Sequence, residues 1–215
     1  MSEEDLSSRL EKFALKLTDR HKLTRKDGLV EYQRLLFEEK REPEDESFPY
    51  SVELSKHIIT FTNLLSDESE INRIKVSEII MQFIRLNSLR ETHLIYFVTA
   101  IHNQIANKNE ESEEVKTNLI IILHLMINQF GPVLGENIDD ITAIQLVMLL
   151  EKSPELLTAT CNCITTFADA MRRKITPHSQ QYIVPLSRIS LHQRFRVRKA
   201  ALHAIGNIEH NFLLH

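Results

Sequence analysis

The pattern that most constrains this chain lies at residues 197–206, which run Val-Arg-Lys-Ala-Ala-Leu-His-Ala-Ile-Gly. Val197 and Ile205 are suited to fill the seam between two helices. Three small residues in the same stretch, Ala201, Ala204 and Gly206, would let a neighbouring helix approach closely. Arg198, near the start of the predicted helix, would face the preceding turn. The stretch therefore predicts a helix packed tightly among other helices.

A similar position recurs along the chain at a nearly constant interval. We align Val197-Arg198 with Leu157-Thr158, Val115-Lys116 and Ile74-Lys75, and the intervals are 197 − 157 = 40, 157 − 115 = 42 and 115 − 74 = 41 residues. Helix pairs that repeat every 40 to 47 residues or so are typical of HEAT proteins. The chain also has only four Gly and six Pro to break long helices. We therefore expect an all-α fold, an α-solenoid of HEAT-like helix pairs.

The organisation that follows from this period has a capping part and a repeated part. Residues 1–40 are expected to form a capping helix pair, and residues 41–49 an acidic loop bracketed by prolines. The rest, 50–215, is expected to be one continuous solenoid of four HEAT-like repeats, at about 50–88, 89–131, 132–174 and 175–215. Solenoid ends normally carry a polar cap. Because Phe212, Leu213 and Leu214 are apolar, we expect further repeats to follow in a longer protein.

The composition favours a cytoplasmic protein. The acidic N-terminus lacks the basic start and apolar run of a signal peptide. The longest apolar stretch, residues 119–125, is only about seven residues, so no transmembrane helix is expected. Two cysteines are too few for a disulfide framework, which fits a reducing compartment.

The residues that carry chemistry in enzymes are not grouped here. The ten histidines form no HExxH motif and stand beside no Cys-x-x-Cys pair. Cys161 and Cys163 would point about 200° apart on a helix, so they cannot share one ion unaided. The stretch from Gly131 to Gly135 lacks the Lys-Ser/Thr of a phosphate loop. We expect no enzyme, no metal, no cofactor and no small-molecule substrate.

Charge is unevenly distributed along the chain. Residues 1–114 hold 16 basic and 23 acidic residues (16 − 23 = −7), whereas residues 115–215 hold 10 and 7 (10 − 7 = +3). Between 172 and 199 eight residues are basic and none is acidic: Arg172, Arg173, Lys174, Arg188, Arg194, Arg196, Arg198 and Lys199. Five of these are our candidates for binding an acidic protein partner: Arg172, Arg173, Lys174, Arg194 and Arg196. The alternative is that such residues cap helix carbonyls or bridge adjacent repeats. Nucleic acid is disfavoured by the overall charge of −4 and by the scarcity of interleaved aromatic residues.

Residues 112–212 resemble a known family, the HEAT-repeat factors for cytoplasmic preassembly of axonemal dyneins. The similarity rests on Cys161-Asn-Cys163 early in a second helix, on Ile189-Ser190, and on His192-Gln193 just ahead of Val197-Arg198. It continues with Ala200-Ala201 and the closing Ala204-Ile205-Gly206. One departure is Leu191, which here separates Ser190 from His192. The first hundred residues match the family only in the rhythm of their helices.

The resemblance implies a function as well as a fold. Members of that family are longer, all-helical and cytoplasmic, and they act as scaffolds or co-chaperone-like factors that help dynein chains assemble. The resemblance therefore implies axonemal dynein chains and chaperones as protein partners. This chain would then be a non-catalytic protein-binding scaffold that uses the face lined by its second helices, expected at 70–87, 112–130, 155–173 and 195–212. The other interpretation is a generic HEAT adaptor, for transport or phosphatase scaffolding, that docks an acidic peptide.

Overall fold

The computed structural model describes residues 3–38, 50–107 and 110–213, and within these ranges the side chains of residues 8–211. The acidic loop expected at 41–49 lies outside the described residues, as do the side chains of Phe212, Leu213 and Leu214. The described residues form ten α-helices and no β-strand: α1 (Glu3–Ala14), α2 (Lys22–Gln33), α3 (Tyr50–Leu64), α4 (Glu70–Arg85), α5 (Glu91–Ala106), α6 (Glu113–Phe130), α7 (Ile138–Met148), α8 (Pro154–Met171), α9 (Ser179–Ile189) and α10 (Phe195–Leu213).

The helices that precede residue 97 form one compact unit. In it α2 packs against α1 and α4, and α3 packs against α4. Three large aromatic side chains, Tyr32, Phe61 and Phe83, are fully buried at the centre. The rings of Tyr32 and Phe61 meet edge to face with centroids 5.7 Å apart. An aromatic cluster therefore lies at the centre of a core whose other buried residues are mostly aliphatic.

The second compact unit, from Phe97 onward, is arranged around α8. α8 packs between α6 and α10, while α7 contacts α8 and α9 contacts α10. The residues that α6 and α8 bury are aliphatic, aromatic or small: Leu119, Ile122, Leu123, Met126, Cys161, Cys163, Ile164 and Phe167 are all fully buried. The layer formed by α6, α8 and α10 thus holds the core of this unit.

This second unit repeats itself with a constant spacing of 41 residues. The same elements recur in the same order: the 3₁₀ segment Gly131–Asn137 as Arg172–His178 (172 − 131 = 41), α7 as α9 (179 − 138 = 41), and the start of α8 as the start of α10 (195 − 154 = 41). A 41-residue helix pair is a HEAT-length repeat.

The structure corrects the alignment by which we found the period. The residue of α8 that corresponds to Val115 and Val197 is Leu156, because these three side chains are fully buried at matching positions (156 − 115 = 41, 197 − 156 = 41). Our alignment used Leu157. Leu156 and Leu157 cannot be distinguished by hydrophobicity alone. The register is fixed instead by Ser153, the helix-capping serine three residues before Leu156.

The alignment of α4 is also corrected. Asn72 lies three residues after the capping position Ser69, as Val115 does after Ser112, and Asn72 is fully buried. The pair that matches Val115-Lys116 is therefore Asn72-Arg73, not Ile74-Lys75. Nδ2 of Asn72 donates to the backbone oxygen of Lys22 over 3.1 Å, so the amide nitrogen of this side chain is paired where the other repeats bury an aliphatic residue.

A recurring arginine secures the turn before the second helix, as predicted for Arg198. Nη1 of Arg198 donates to the backbone oxygens of His192 (3.0 Å) and Gln193 (2.7 Å). In the same way, Nη1 of Arg25 donates to the backbone oxygen of Asp19, and Nη1 of Arg73 donates to the backbone oxygen of Asp67. In each case the acceptor lies six residues before the arginine, as His192 does before Arg198. These bonds satisfy carbonyl groups that the tight turn leaves unpaired.

The signature stretch itself is only partly buried. Val197, Ala201 and Ala204 are fully buried, as expected for the seam with α8. Ile205 is only half-buried, and Gly206 is exposed, with no described atom within 4 Å of the position a Cβ would take. The prediction that Ile205 and Gly206 also line a helix seam is therefore wrong for the described residues, because α8 covers a different face of α10.

Within the described chain, the segment Glu113–Met148 has the length and mean hydropathy, 1.4 over 18 residues, of a membrane-spanning helix. The sequence shows no long apolar run here, because polar residues such as His124, Asn128 and Gln129 interrupt the segment. The segment is not one straight helix, since α6 ends at Phe130 and Gly131 adopts φ +46° before a 3₁₀ segment. Most apolar side chains of α6 are buried, and α6 packs against α8, which accounts for this composition.

Candidate protein-binding surface

Helices α6, α8 and α10 run in the same direction, side by side. Near their starts, Glu113 of α6 accepts a hydrogen bond from Ser153, and Arg194 donates to Glu155 over 3.2 Å. Farther along, Nε2 of His124 on α6 lies 2.9 Å from Oγ1 of Thr166 on α8, and Asn207 of α10 donates to Asp169 of α8 over 2.9 Å. Bonds between both the starts and the later turns require parallel helices. These polar contacts hold the layer in register.

The starts of two of these helices are capped in the same way. The hydroxyl oxygen of Ser112 accepts from the backbone N–H of Val115 over 3.3 Å, and that of Ser153 accepts from Leu156 over 3.4 Å. A serine at this position satisfies an N–H group that has no partner within the helix. The caps therefore fix where each helix of the layer begins.

The solvent-facing side chains of the layer change character from α6 to α10. At one matching position the residues are Glu114, Glu155 and Arg196, spaced by 155 − 114 = 41 and 196 − 155 = 41. One turn later Thr117 and Thr158 are followed by Lys199. The layer is thus acidic at the start of α6 and basic at the start of α10.

A groove lies between α8 and α10 in their first turns. Its walls carry hydroxyl, amide, imidazole and cationic groups, and its lining includes Thr158, Asn162, Arg196, Lys199, Ala200 and His203. The groove continues toward the helix starts past Glu155, Arg194 and Val197. Arg196 and Lys199 are exposed and lie one turn apart on the same face of α10. We call this feature the α8–α10 groove.

The five basic residues proposed from the sequence do not form one cluster. Arg194 and Arg196 lie at the start of α10, beside the first turns of α8. Arg172, Arg173 and Lys174 follow the other end of α8 and are exposed there. Because α8 has 18 residues and an α-helix rises 1.5 Å per residue, the two groups lie about 27 Å apart. A short partner segment cannot contact both groups at once.

Two of the five make contacts that bridge neighbouring elements. Lys174 lies against Gly135 of the preceding 3₁₀ segment, where an added Cβ would come 2.9 Å from its Nζ. Arg194 forms an exposed ion pair with Glu155 at 3.2 Å. These are contacts of the bridging kind that our alternative interpretation expects. Arg196, in contrast, lines the α8–α10 groove.

The two cysteines lie inside the layer rather than on its surface. Cys161 and Cys163 are fully buried, and burial raises the pKa of each thiol to about 12. Gln145 donates to Sγ of Cys163 over 3.4 Å. A protonated, buried thiol is a poor nucleophile and a poor metal ligand. The described residues also contain no group of three His, Cys, Asp or Glu side chains arranged to hold a metal ion.

Four groove residues were missed as a site by the sequence analysis: Thr158, Asn162, Lys199 and His203. The spacing of the basic and imidazole residues of α10 could have indicated this site. Arg196, Lys199 and His203 are separated by three and four residues, which puts them on one helix face. Recognising that Thr158 and Asn162 of α8 lie opposite them requires the 41-residue register, which our alignment placed one residue off.

The sequence of nearly the whole chain matches one family. A family model described as "Dynein axonemal assembly factor 5-like, TPR repeats" matches residues 16–211. The chain belongs to this family. Its membership confirms the resemblance found in residues 112–212 and extends it over most of the first hundred residues.

Curated relatives carry the same name. Dynein axonemal assembly factor 5 of Xenopus laevis is 24% identical over 200 residues, which cover 89% of this chain and 23% of that protein. The Homo sapiens protein of that name is 29% identical over 101 residues, or 47% of this chain and 12% of that protein. The chain therefore matches about a quarter or less of the length of these relatives.

Solved structures with a similar fold are designed repeat proteins. A computationally designed armadillo repeat protein for modular peptide recognition has a TM-score of 0.56 at 15% identity, covering 96% of this chain and 76% of that one. Another, solved in complex with the peptide (KR)4, has a TM-score of 0.53 at 12% identity, covering 93% of this chain and 99% of that one. These likenesses establish an all-α solenoid. The 41-residue spacing matches HEAT and armadillo repeats better than TPR units of about 34 residues.

Proposed function

We propose that this chain is a non-catalytic, protein-binding scaffold in the cytoplasmic preassembly of axonemal dynein arms. The observation that carries the proposal is the family match over residues 16–211. A fold of stacked helix pairs supports it, since such solenoids expose extended surfaces that bind other macromolecules.

We propose that α3 and α4, α5 and α6, α7 and α8, and α9 and α10 are four HEAT-like repeats, preceded by a capping pair at 1–40. The spacing of 41 residues in the last two pairs supports this division. The last three second helices, α6, α8 and α10, would then form one binding face.

The surface we propose for client binding is the layer of α6, α8 and α10. Hydrogen bonds and ion pairs between these helices hold the layer rigid, so binding would cost little conformational ordering. Of the five basic residues, Arg194 and Arg196 would contact a partner at the start of α10, while Arg172, Arg173 and Lys174 would contact it beyond the end of α8. The partners would be axonemal dynein chains and chaperones, with no nucleic acid and no membrane involved.

The test is affinity purification of the tagged chain from ciliating cells, followed by mass spectrometry. Axonemal dynein chains, with or without chaperones, should be enriched over a tagged unrelated solenoid. An eluate that contains importins, phosphatase subunits or coat proteins, but no dynein chains, would favour the generic adaptor instead.

A further inference from the structure

We infer that the α8–α10 groove binds an acidic segment of a partner protein, a role that rests on the proposed scaffold function. The partner would place two or more carboxylate groups against Arg196 and Lys199. Both are exposed groove residues, and neither forms an ion pair with another residue that the structure describes.

The other basic residues near the groove are engaged differently. Arg198 donates to the backbone oxygens of His192 and Gln193, and its guanidinium lies 5.7 Å from the centre of the Phe195 ring. Arg194 pairs with Glu155. Arg196 and Lys199 therefore supply the charge that an incoming anion would meet.

The charges at the matching positions of α6 and α8 also favour binding of an acidic segment at α10. The residues that match Arg196 on α6 and α8 are Glu114 and Glu155, so an acidic segment is attracted at α10 and repelled toward α6. Charge complementarity thus selects the α10 side of the layer. It also sets the direction of a segment whose two ends differ in charge.

Polar, uncharged groups complete the groove. Asn162 is exposed on α8 and offers both an N–H donor and a carbonyl acceptor. The hydroxyl of Thr158 donates to the oxygen of Pro154 over 2.7 Å, which leaves its oxygen free to accept. A peptide backbone has the same mix of donors and acceptors. A nucleic-acid strand instead needs a longer basic track and several open aromatic faces, and the residues described as lining the groove include no Phe, Tyr or Trp.

The test is fluorescence polarisation with a labelled oligoglutamate peptide and the full chain at low salt. The wild-type chain should bind the peptide, and binding should weaken steeply as salt is added. The double variant Arg196→Glu, Lys199→Glu should bind at least about tenfold more weakly. Circular dichroism should show unchanged helicity, because both side chains are exposed.

Two further variants make the test specific. Arg188→Glu on α9 is the matched control, since it reverses one exposed basic residue outside the groove, and it should leave binding within about twofold. Glu155→Gln removes the carboxylate that lines the groove and frees Arg194, so it should tighten binding about two- to threefold. A tighter complex cannot result from unfolding.

The inference is overturned if Arg188→Glu weakens binding as much as the groove variant, or if Glu155→Gln weakens it. It is also overturned if a labelled polyuridylate binds more tightly than oligoglutamate. If oligoglutamate fails to bind while the wild-type chain still purifies with dynein chains, the groove assignment fails and the scaffold function stands.

Discussion

Gly131 and Arg172 end α6 and α8 in the same backbone conformation, with φ and ψ of 46° and −118° for the glycine and 48° and −123° for the arginine. This conformation is open to glycine but strained for any residue with a Cβ. The two positions are 41 residues apart (172 − 131 = 41), so the repeat preserves the turn and not the residue. Arg172 is therefore strained because the turn after α8 keeps the backbone conformation that Gly131 adopts after α6.

We predict that Arg172→Gly stabilises the protein by about 1 kcal/mol, because relief of the strain exceeds the extra flexibility of glycine in the unfolded chain. Gly131→Ala should destabilise it by about 1–2 kcal/mol. No described atom lies within 4 Å of the added methyl group, so its effect would come from the backbone alone. Urea unfolding of the three proteins measures both changes. Equal stabilities would contradict the strained turn.

Alanine at Gly206, unlike alanine at Gly131, should stabilise the protein. Gly206 lies inside α10, and no atom of the described residues lies within 4 Å of the position that an alanine Cβ would take, so alanine fits there and favours the helix. We expect Gly206→Ala to stabilise the protein by about 1 kcal/mol. The measurement is the same urea titration. A loss of stability would mean that Gly206 lies in a close helix contact, as the sequence pattern first suggested.

The sequence predicted the class of fold because helical periodicity and the spacing of second helices are local signals. It did not determine whether Leu156 or Leu157 matches Val115 and Val197, because both leucines are apolar and both are buried. Nor did it separate Arg196, which lines a groove, from Arg198, which binds the backbone of its own turn. That difference depends on α8, whose register against α10 is a tertiary property.

The seam between α8 and α10 should be intolerant of charge at Ala201. This residue is fully buried, whereas its neighbour Leu202 is 58% exposed. We expect Ala201→Arg to destabilise the protein by about 3 kcal/mol or more, because it forces a charge and extra volume into the seam. Leu202→Arg is the matched control and should change the melting temperature little. Circular dichroism melts that superimpose for all three proteins would show that the seam is wrongly placed.

His93 should make stability depend on pH. Its Nε2 lies 2.8 Å from Ser55 Oγ, and Ser55 in turn donates to the backbone oxygen of Ser51. Nδ1 of His93 accepts from the N–H of Arg90 over 3.3 Å. These bonds hold a neutral imidazole with its proton on Nε2. Burial, and then the charge of Arg90, lower the pKa of His93 below its ordinary value of 6.5.

A group with a lowered folded pKa that is neutral when deprotonated binds its proton more readily in the unfolded chain. The stability that His93 contributes is therefore fully present above about pH 7 and decreases as pH falls below 6.5 toward the folded pKa. Chemical unfolding at pH 7.5, 6.5 and 5.5 or thereabouts should show this decrease. His93→Gln should reduce the slope. Some slope would remain, because burial also lowers the pKa of His124. An unchanged slope in the variant would contradict this assignment.

The most direct test of the scaffold function is to find which face of the repeats touches a client in ciliating cells. A photoreactive amino acid would replace Asn162 on the exposed side of α8 in one variant, and exposed Gln181 on α9 in another. We predict that axonemal dynein chains crosslink from position 162 and not from position 181. Dynein crosslinks from 181 alone, or from neither position while the chain is expressed and folded, would contradict the assignment of the α6, α8 and α10 layer as the client-binding surface.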